Sequence, residues 1–324
     1  MRSGTGRLVS RLLMLALIAA AAAFLYHTAA TNWADLQRFE WRVRGWILAL
    51  SIVAHVGVLA FGVFLWSRVL SNFSTSRTKF PYLLRIWSLS NAARYIPGGI
   101  WQFLAAAQLS RGVGLPGVLA LTSMMVHVLL SLLAAVTISA VVLPMDIIPI
   151  GSAASLSARL AILLIAVGTV HPRVINAALG LVPRILSREV LVWRGSWGEG
   201  LLLLALANTS WLFYGAAYTM FVAALAPVGL NAFLPFTAVN ALSFTAGYLA
   251  VPVPGGLGVR ESAMTLLLAP HLPAGVAAIV SVASRLWFIA AELLLVAAGV
   301  FLRPRARADV GVAEDHVANL PEGL

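Results

Sequence analysis

The sequence predicts an all-α polytopic membrane protein with about six spanning helices, two re-entrant helical hairpins and an inverted-topology repeat. Three observations predict this class: the composition, the spacing of the apolar stretches, and a Pro-Gly-Gly motif present in each half. Hydrophobic residues make up 61% of the 324 residues, charged residues 10%, and the mean hydropathy is +0.94. A soluble fold of this length needs a far more charged surface. We expect one membrane domain over 1–302 and a disordered cytoplasmic tail over 303–324.

The apolar stretches give the candidate spanning helices. A helix needs about 20 residues to cross the hydrocarbon core of a bilayer. Five long stretches and one shorter stretch approach or exceed that length, and they cover residues 8–30, 46–70, 115–143, 153–170, 201–226 and 274–302. Because no small-residue cleavage site follows the first stretch, we expect a retained helix there and not a secretory signal.

The distribution of arginine predicts the orientation in the membrane. Cytoplasmic segments of membrane proteins carry an excess of basic residues. Both chain termini and the segments 68–85 and 172–197 are rich in arginine, whereas Asp146 is the one charged residue within 144–157 and 227–235. We therefore expect both termini in the cytoplasm and the chain in the cell (inner) membrane. The segment 172–197 also alternates basic and apolar residues, which is typical of a stretch lying along the membrane surface.

A Pro-Gly-Gly motif interrupts a helical stretch in each half of the chain. The flanking helical pieces are about 20 Å long, short of the roughly 30 Å hydrocarbon core. The sequence therefore predicts a re-entrant hairpin in each half, with a tight turn between two full helices as the alternative. The interrupted stretches are 82–111 and 236–270, and the motif residues are Pro97, Gly98 and Gly99, and Pro254, Gly255 and Gly256.

The two motifs also indicate an internal repeat. Each follows one long helix and precedes another, which gives a first repeat over about 46–143 and a second over about 199–302. By the charge distribution, the first hairpin enters from the cytoplasm and the second from outside. Inverted repeats with paired broken segments are typical of transporters. Lipid cannot hydrogen-bond to the free backbone N–H and C=O groups at a helix break. We therefore expect both breaks to face a central, partly hydrated site.

Arginines accompany both breaks. Arg94 lies one turn before the first Gly-Gly pair, and Arg260 lies one turn after the second. Helix N-termini and guanidinium groups both suit phosphate oxygens. We therefore predict that these arginines bind an anionic head group, with aromatic surroundings from Tyr95, Trp101 and Tyr248. The alternative is that Arg94 and Arg260 pair with nearby acids or carbonyls.

Four further ionisable residues belong to the predicted site. Glu261 follows Arg260 and is its candidate partner if that arginine pairs with an acid. Arg285 and Glu292 lie deep in the last helix, and His127 lies in the 115–143 helix. Ionisable residues inside a membrane are functional candidates. Either Arg285 or Glu292 could contact the substrate, Glu292 could exchange protons, or Arg285 could form a structural pair with Glu261 or Glu292. A lone histidine such as His127 is more often a helix-to-helix hydrogen-bonding partner than a proton relay.

The residues around the breaks resemble a known family. Segments 94–101 (RYIPGGIW) and 254–261 (PGGLGVRE) resemble the transmembrane, flippase-like region of lysylphosphatidylglycerol synthetases and its stand-alone relatives. Outside these blocks, the resemblance over roughly 8–302 is mainly one of helix pattern. It implies movement of aminoacylated phospholipids or polyprenyl-linked sugars between leaflets. Because the soluble aminoacyl-transferase domain of those synthetases has no counterpart here, we expect no synthesis of lysyl-lipid.

The expected function is therefore lipid translocation: movement of an anionic or phosphate-linked lipid or lipid-linked glycan between leaflets. An integral-membrane glycosyltransferase is one alternative, but that chemistry usually needs paired acids at a membrane-surface loop. The outward loops offer only Asp35, Glu40 and Asp146, in no paired pattern. A non-transporting accessory subunit of a cell-envelope lipid or glycan synthesis complex is the second alternative.

The expected partners follow from this function. The expected substrate is a membrane phospholipid or a polyprenyl-phosphate-linked molecule, and the expected protein partner is a glycosyltransferase or a lipid-modifying enzyme. A homo-oligomer is possible from the sequence, and we expect no binding of nucleic acid. The chain contains no cysteine, so thiolate metal sites and cysteine nucleophiles are absent. We expect no catalytic residue, no metal and no cofactor.

Overall fold

The computed structural model describes residues 4–74, 78–96, 100–143, 152–186, 191–251 and 253–302. The predicted tail over 303–324 lies outside these residues. The described residues form helices joined by turns and loops, without a strand, and short 3-10 turns occur at Ala93–Tyr95, Leu230–Ala232 and Pro254–Gly256. The α-helices are α1 (Gly4–Thr31), α2 (Trp33–Arg38), α3 (Gly45–Ser71), α4 (Phe80–Ala92), α5 (Trp101–Arg111), α6 (Gly117–Val142), α7 (Ser152–Thr169), α8 (Pro172–Leu186), α9 (Trp197–Ala223), α10 (Phe233–Leu249), α11 (Val259–Leu268) and α12 (Ala274–Phe301).

Five helices of the described chain are long and apolar enough to cross a membrane: α1, α3, α6, α9 and α12. A sixth span results if α7 and α8 are taken together, although a bend of 73° separates them. The predicted class of an all-helical, polytopic membrane protein is confirmed. The bend turns α8 away from the axis of α7, which is the geometry expected of a helix lying along a membrane surface.

The helix packing has the two-fold arrangement that an internal repeat produces. The four helices from α3 to α6 correspond to the four from α9 to α12. Under this correspondence α6 packs on α9 as α12 packs on α3, and α4 packs on α12 as α10 packs on α6. The equivalent helices α3 and α9 pack along each other.

The equivalent helices α3 and α9 run antiparallel. At one end, the backbone N–H groups of Arg42 and Arg44 donate to the carbonyls of Leu225 (3.1 Å) and Ala224 (2.9 Å). These contacts join the start of α3 to the end of α9. At the other end, Arg68 of α3 forms an ion pair with Glu199 of α9. The repeats are therefore inverted with respect to each other.

Each broken helix pair returns to the face from which it starts. In the first repeat, Trp66 near the end of α3 donates to Ser123 near the start of α6 at 3.0 Å, so the α4–α5 hairpin begins and ends at one face. In the second, the rings of Phe236, near the start of α10, and His271, just before α12, are 5.7 Å apart. The α10–α11 hairpin is likewise re-entrant. Because α3 and α9 are antiparallel, the hairpins enter from opposite faces.

Indole hydrogen bonds help to fix how the long helices pack. Trp211 of α9 donates to the carbonyl of Ser131 in α6 at 2.9 Å, and Trp287 of α12 donates to the hydroxyl of Ser51 in α3 at 3.0 Å. A buried indole N–H without a partner costs free energy, so each bond favours one rotation of the helix about its axis. The side chains that α9 and α12 turn inward are therefore set by their neighbours.

The re-entrant hairpins predict which loops share a face. Single cysteines at Ser71 and Gly112 should react with a membrane-impermeant maleimide from the same side of sealed vesicles, because α4 and α5 together do not cross the membrane. Cysteines at Pro227 and Ala269 should react only from the opposite side. The chain has no native cysteine, so the unmodified protein is the blank. Labelling of Gly112→Cys from the side opposite to Ser71→Cys would contradict a re-entrant first hairpin.

Candidate binding site between the two helix breaks

The two helix breaks touch each other inside the bundle. The turn Ala93–Tyr95 contacts the turn Pro254–Gly256. Gly255 and Gly256 have φ of 55° and 65°, a conformation that glycine adopts without steric cost. A Cβ at Gly255 would lie 2.9 Å from Nη2 of Arg285 and 3.2 Å from the ring of Tyr95. Both breaks and α12 thus converge on one glycine.

Six of the predicted site residues line a single cavity beside the breaks. Its volume is about 290 Å³, and it lies between α5, α6, α10, α11 and α12. The predicted residues that line it are Arg94, Tyr95, Gly255, Gly256, Arg260 and Arg285, together with Tyr248. Arginines from three different elements therefore meet at one place.

Other predicted site residues lie elsewhere. Trp101 and Pro254 are not among the described residues that line the cavity, and Trp101 is 43% exposed. His127 lines a smaller adjoining cavity instead. The predicted motif residues Pro97, Gly98 and Gly99 lie outside the described residues. Trp101 lies outside the cavity lining because α5 turns this side chain outward, and its position next to a motif does not fix that rotation.

Two ion pairs lie behind the cavity wall. Arg94 pairs with Glu292, which also accepts a hydrogen bond of 2.6 Å from the hydroxyl of Tyr95. Arg285 pairs with Glu261 at 3.3 Å, as one of the sequence alternatives stated. All four ionised side chains are at most 18% exposed. Both glutamates are therefore engaged by arginines within the protein.

Glu261 does not pair with Arg260, contrary to the alternative considered for that arginine. Consecutive residues of a helix point about 100° apart, so the two side chains diverge. Glu261 also caps its own helix by accepting a 2.6 Å hydrogen bond from the backbone N–H of Gly258. The capping position directs this carboxylate toward Arg285 in α12.

Arg260 is a buried cation with neutral partners. The residue is 5% exposed, and its guanidinium donates to the hydroxyl of Tyr214 (3.1 Å) and to Oδ1 of Asn240 (3.4 Å). It also lies 4.7 Å from the ring centroid of Phe288, a cation–π distance. In the described part of the chain, no carboxylate forms an ion pair with it. Within the described residues, this charge therefore has no carboxylate to compensate it.

The charges at the site sum to a positive value. Three arginines and two glutamates surround the breaks, which leaves one net positive charge. Arg94 lies 4.9 Å from the same Phe288 ring that Arg260 approaches, so both guanidinium groups lie close together at the cavity. Arg285 adds buried Nε and Nη2 groups that have no hydrogen-bond partner among the described residues. This arrangement can bind an anion through charge-assisted hydrogen bonds.

The cavity opens at the apolar outer surface of the protein. Among the described residues, no Asp or Glu lines it. Ile100, Leu129 and Val251 line it and are 56%, 63% and 61% exposed. These apolar residues belong to different elements and surround the opening. A molecule entering there would pass from an apolar environment to the arginines.

Sequence reasoning missed the neutral residues that hold Arg260. Tyr214 and Phe288 lie in long apolar helices, where nothing in the sequence separates them from ordinary core aromatics. Asn240 was the available signal, because an amide side chain within the apolar part of α10 needs a hydrogen-bonding partner. Gln102, which donates to the hydroxyl of Tyr248 at 2.8 Å, is a comparable case in α5.

The ion pair of Arg94 and Glu292 is expected to stabilise the fold. Replacing Glu292 by Gln leaves Arg94 buried without a carboxylate, so the free energy of unfolding should fall by about 3 kcal/mol. The measurement is unfolding in mixed micelles by titration with SDS. Glu40→Gln is the matched control, because the pair of Glu40 with Arg42 is exposed and should contribute less than about 1 kcal/mol.

A double variant distinguishes the stability that comes from the ion pair from the stability that comes from other contacts of the two side chains. Arg94→Met combined with Glu292→Leu removes both charges, so much of the lost stability should return. Equal losses for Glu292→Gln and Glu40→Gln would contradict a stabilising buried pair.

Comparisons with known proteins returned nothing that bears on this site. No protein-family model, no curated protein and no solved structure matches the chain. The resemblance of the two motif blocks to the flippase-like region of lysylphosphatidylglycerol synthetases stays a prediction. The chemistry of the cavity residues is therefore the basis for a proposed function.

Proposed function

We propose that this protein is a translocase that moves an anionic, phosphate-containing lipid or lipid-linked glycan between the leaflets of the cell membrane. The observation that carries this proposal is Arg260, a buried cation with neutral partners beside a laterally open cavity. An isolated buried charge is costly, and a bound anion would offset that cost. The planar guanidinium group matches the spacing of phosphate oxygens.

The shape of the cavity favours a lipid over a water-soluble anion. Small-molecule sites enclose roughly 300–1,000 Å³, so a cavity of about 290 Å³ suits a head group and not its acyl or prenyl chains. The exposed apolar residues at the opening would contact those chains. A lipid can therefore bind with its phosphate at the arginines and its chains in the bilayer.

The inverted hairpins support transport. They enter from opposite faces and meet at the cavity, which is the arrangement of transporters that alternate access around a central site. With the arginine-rich segments in the cytoplasm, the α4–α5 hairpin enters from the cytoplasmic side and the α10–α11 hairpin from the outside. Rocking of the repeats would expose the cavity to each leaflet in turn.

The acidic residues give little support to a membrane glycosyltransferase. A general base or a metal ligand in such an enzyme needs an available carboxylate. Glu261 and Glu292 are both held by arginines. Among the described residues, no group of three or more His, Asp or Glu side chains is placed to hold a metal ion.

The test of the proposed function is Arg260→Gln. Glutamine can still hydrogen-bond to Tyr214 and Asn240 but removes the charge, so retention of the anionic lipid and its translocation should fall at least about 10-fold. Stability should be unchanged or higher, because an uncompensated buried charge is removed. The exposed Arg38→Gln is the control.

Two measurements check this expectation. Native mass spectrometry of protein extracted mildly from its own membrane identifies the retained lipid, and proteoliposomes containing that lipid report its movement between leaflets. Full transport by Arg260→Gln would contradict the proposal. A wild-type protein that retains a specific lipid but does not move it would contradict translocation and favour an accessory subunit.

A further inference from the structure

We propose that α8 binds the anionic surface of a membrane leaflet, and that this contact holds the end of α3, from which the first hairpin starts. Three observations carry this role: an apolar face of α8 that the protein leaves open, a basic face beside it, and hydrogen bonds that join α8 to the end of α3. Among the described residues, none of α8 lines the cavity between the breaks, so the role is separate from the binding of a substrate.

α8 turns off a candidate span at one end of the bundle. The bend of 73° after α7 directs it sideways. Its start is held against α9, since the rings of His171 and Trp197 are 5.4 Å apart and the indole of Trp197 donates to the carbonyl of Val167 at 3.2 Å. Glu199 of α9 pairs with Arg68 of α3, so α8 lies at the end of the bundle from which the first hairpin starts.

One face of α8 is apolar and exposed. Val174 and Leu181 are 46% and 56% exposed and lie two turns apart, with the exposed Ala178 between them. The neighbouring face packs on the protein, where Leu179 is buried and Ile175 is partly buried against the core. The protein therefore leaves a whole apolar row uncovered. At the end of a membrane span, the acyl chains of lipids are what such a row meets.

A basic face adjoins the apolar row. Arg173 is exposed in the first turn of α8. Arg184 follows eleven residues later in the same helix, which is close to three turns, so the two residues lie on one face. α8 contains no Asp or Glu. Neutral lipid would cover the apolar row equally well, so the arginines are what select an anionic surface.

The segment after α8 joins this helix to the end of α3. The side chain of Asn176 donates to the carbonyl of Trp193 at 3.1 Å and accepts its backbone N–H at 2.8 Å. The buried ring of Trp193 packs edge-on against Phe73, with centroids 5.4 Å apart. The backbone N–H of Arg194 donates to the carbonyl of Asn72 at 2.9 Å. A displacement of α8 therefore reaches the two residues that follow α3.

These two residues belong to the connection between α3 and the first hairpin. α3 ends at Ser71 and α4 begins at Phe80. Asn72 also caps α3, because its side chain donates to the carbonyl of Arg68 at 2.8 Å. With α8 held on the leaflet, the hydrogen bonds of the following segment fix where the hairpin starts. The charge of the leaflet would thereby act on the position of the first hairpin.

The reactivity of single cysteines measures the contact of α8 with the leaflet. The full-length protein is placed in nanodiscs of phosphatidylcholine alone or of an equimolar mixture with phosphatidylglycerol. Leu181→Cys lies in the apolar row, whereas Ala177→Cys lies beside Arg173. In the anionic nanodiscs, a water-soluble maleimide should react with Leu181→Cys at least about 10-fold more slowly than with Ala177→Cys. The protein has no native cysteine, so the unmodified chain is the blank.

Substitution of the two arginines tests the role of charge. Each arginine should favour the bound state about 5-fold at an anionic surface. Because labelling of Leu181→Cys requires transient detachment of α8, Arg173→Gln with Arg184→Gln should accelerate it about 25-fold in anionic nanodiscs. In phosphatidylcholine alone, the same pair of substitutions should change the rate less than about 2-fold. Arg38→Gln is the matched control, because Arg38 is exposed at the opposite end of the bundle.

Hydrogen exchange tests the connection to α3. The backbone N–H of Arg194 should exchange at least about 5-fold more slowly in anionic than in neutral nanodiscs, and Arg173→Gln with Arg184→Gln should abolish this difference. Asn176→Leu removes the hydrogen bonds to Trp193. In that variant Leu181→Cys should stay protected, while exchange at Arg194 no longer depends on the lipid. If Asn176→Leu does not fold, the arginine variants still decide.

Three outcomes would overturn the proposed role of α8. Equal labelling of Leu181→Cys and Ala177→Cys in both lipids would favour a protein partner for the apolar face. Protection of Leu181→Cys that is the same with and without phosphatidylglycerol would show apolar contact without selection of charge. A response to phosphatidylglycerol that disappears in Arg260→Gln would assign it to the cavity. A full response in a protein that moves no lipid would support the role of α8 and contradict only the proposed function.

Discussion

Broken helical backbone inside a membrane protein must find its hydrogen-bond partners within the protein, because lipid offers none. At the second break this requirement is met by side chains. Arg285 donates to the carbonyl of Gly255 at 2.9 Å, and Glu261 accepts the N–H of Gly258 at 2.6 Å. These two side chains also pair with each other. One arginine and one glutamate are therefore occupied by hydrogen bonds to the backbone of the second break.

The hydrogen bonds of Arg285 and Glu261 also determine which carboxylates remain for the other two arginines. Glu292 is taken by Arg94 and Tyr95, so no carboxylate of the site is left for Arg260. Close packing keeps Arg260 buried, since a Cβ at Gly247 of α10 would lie 2.9 Å from the Cβ of Arg260. Small residues allow such close approach of helices in membranes. The uncompensated cation is therefore a consequence of how α11 is held against α10 and α12.

Much of the fold could be predicted from local features of the sequence. The lengths of the apolar stretches gave the spans, and the paired Pro-Gly-Gly motifs gave the hairpins, because both depend on neighbouring residues alone. The placement of Arg94 and Arg260 at one cavity followed from the same motifs.

The pairing of charges could not be predicted in this way. Arg94 and Glu292 are 198 residues apart, and their contact depends on how α12 is rotated against α4. The orientation of Trp101 and the roles of Tyr214 and Phe288 depend on the same kind of rotation. Apolar helices with little periodicity leave that rotation open in the sequence.

The antiparallel arrangement of α3 and α9 has a thermodynamic consequence. In the proposed translocase, the two inverted halves would present a similar scaffold to the lipid from either side. Without an energy source coupled to it, such a path would have no preferred direction. Net flow would then be set by where the lipid is made and where it is consumed, and it would cease once its chemical potential is equal in the two leaflets.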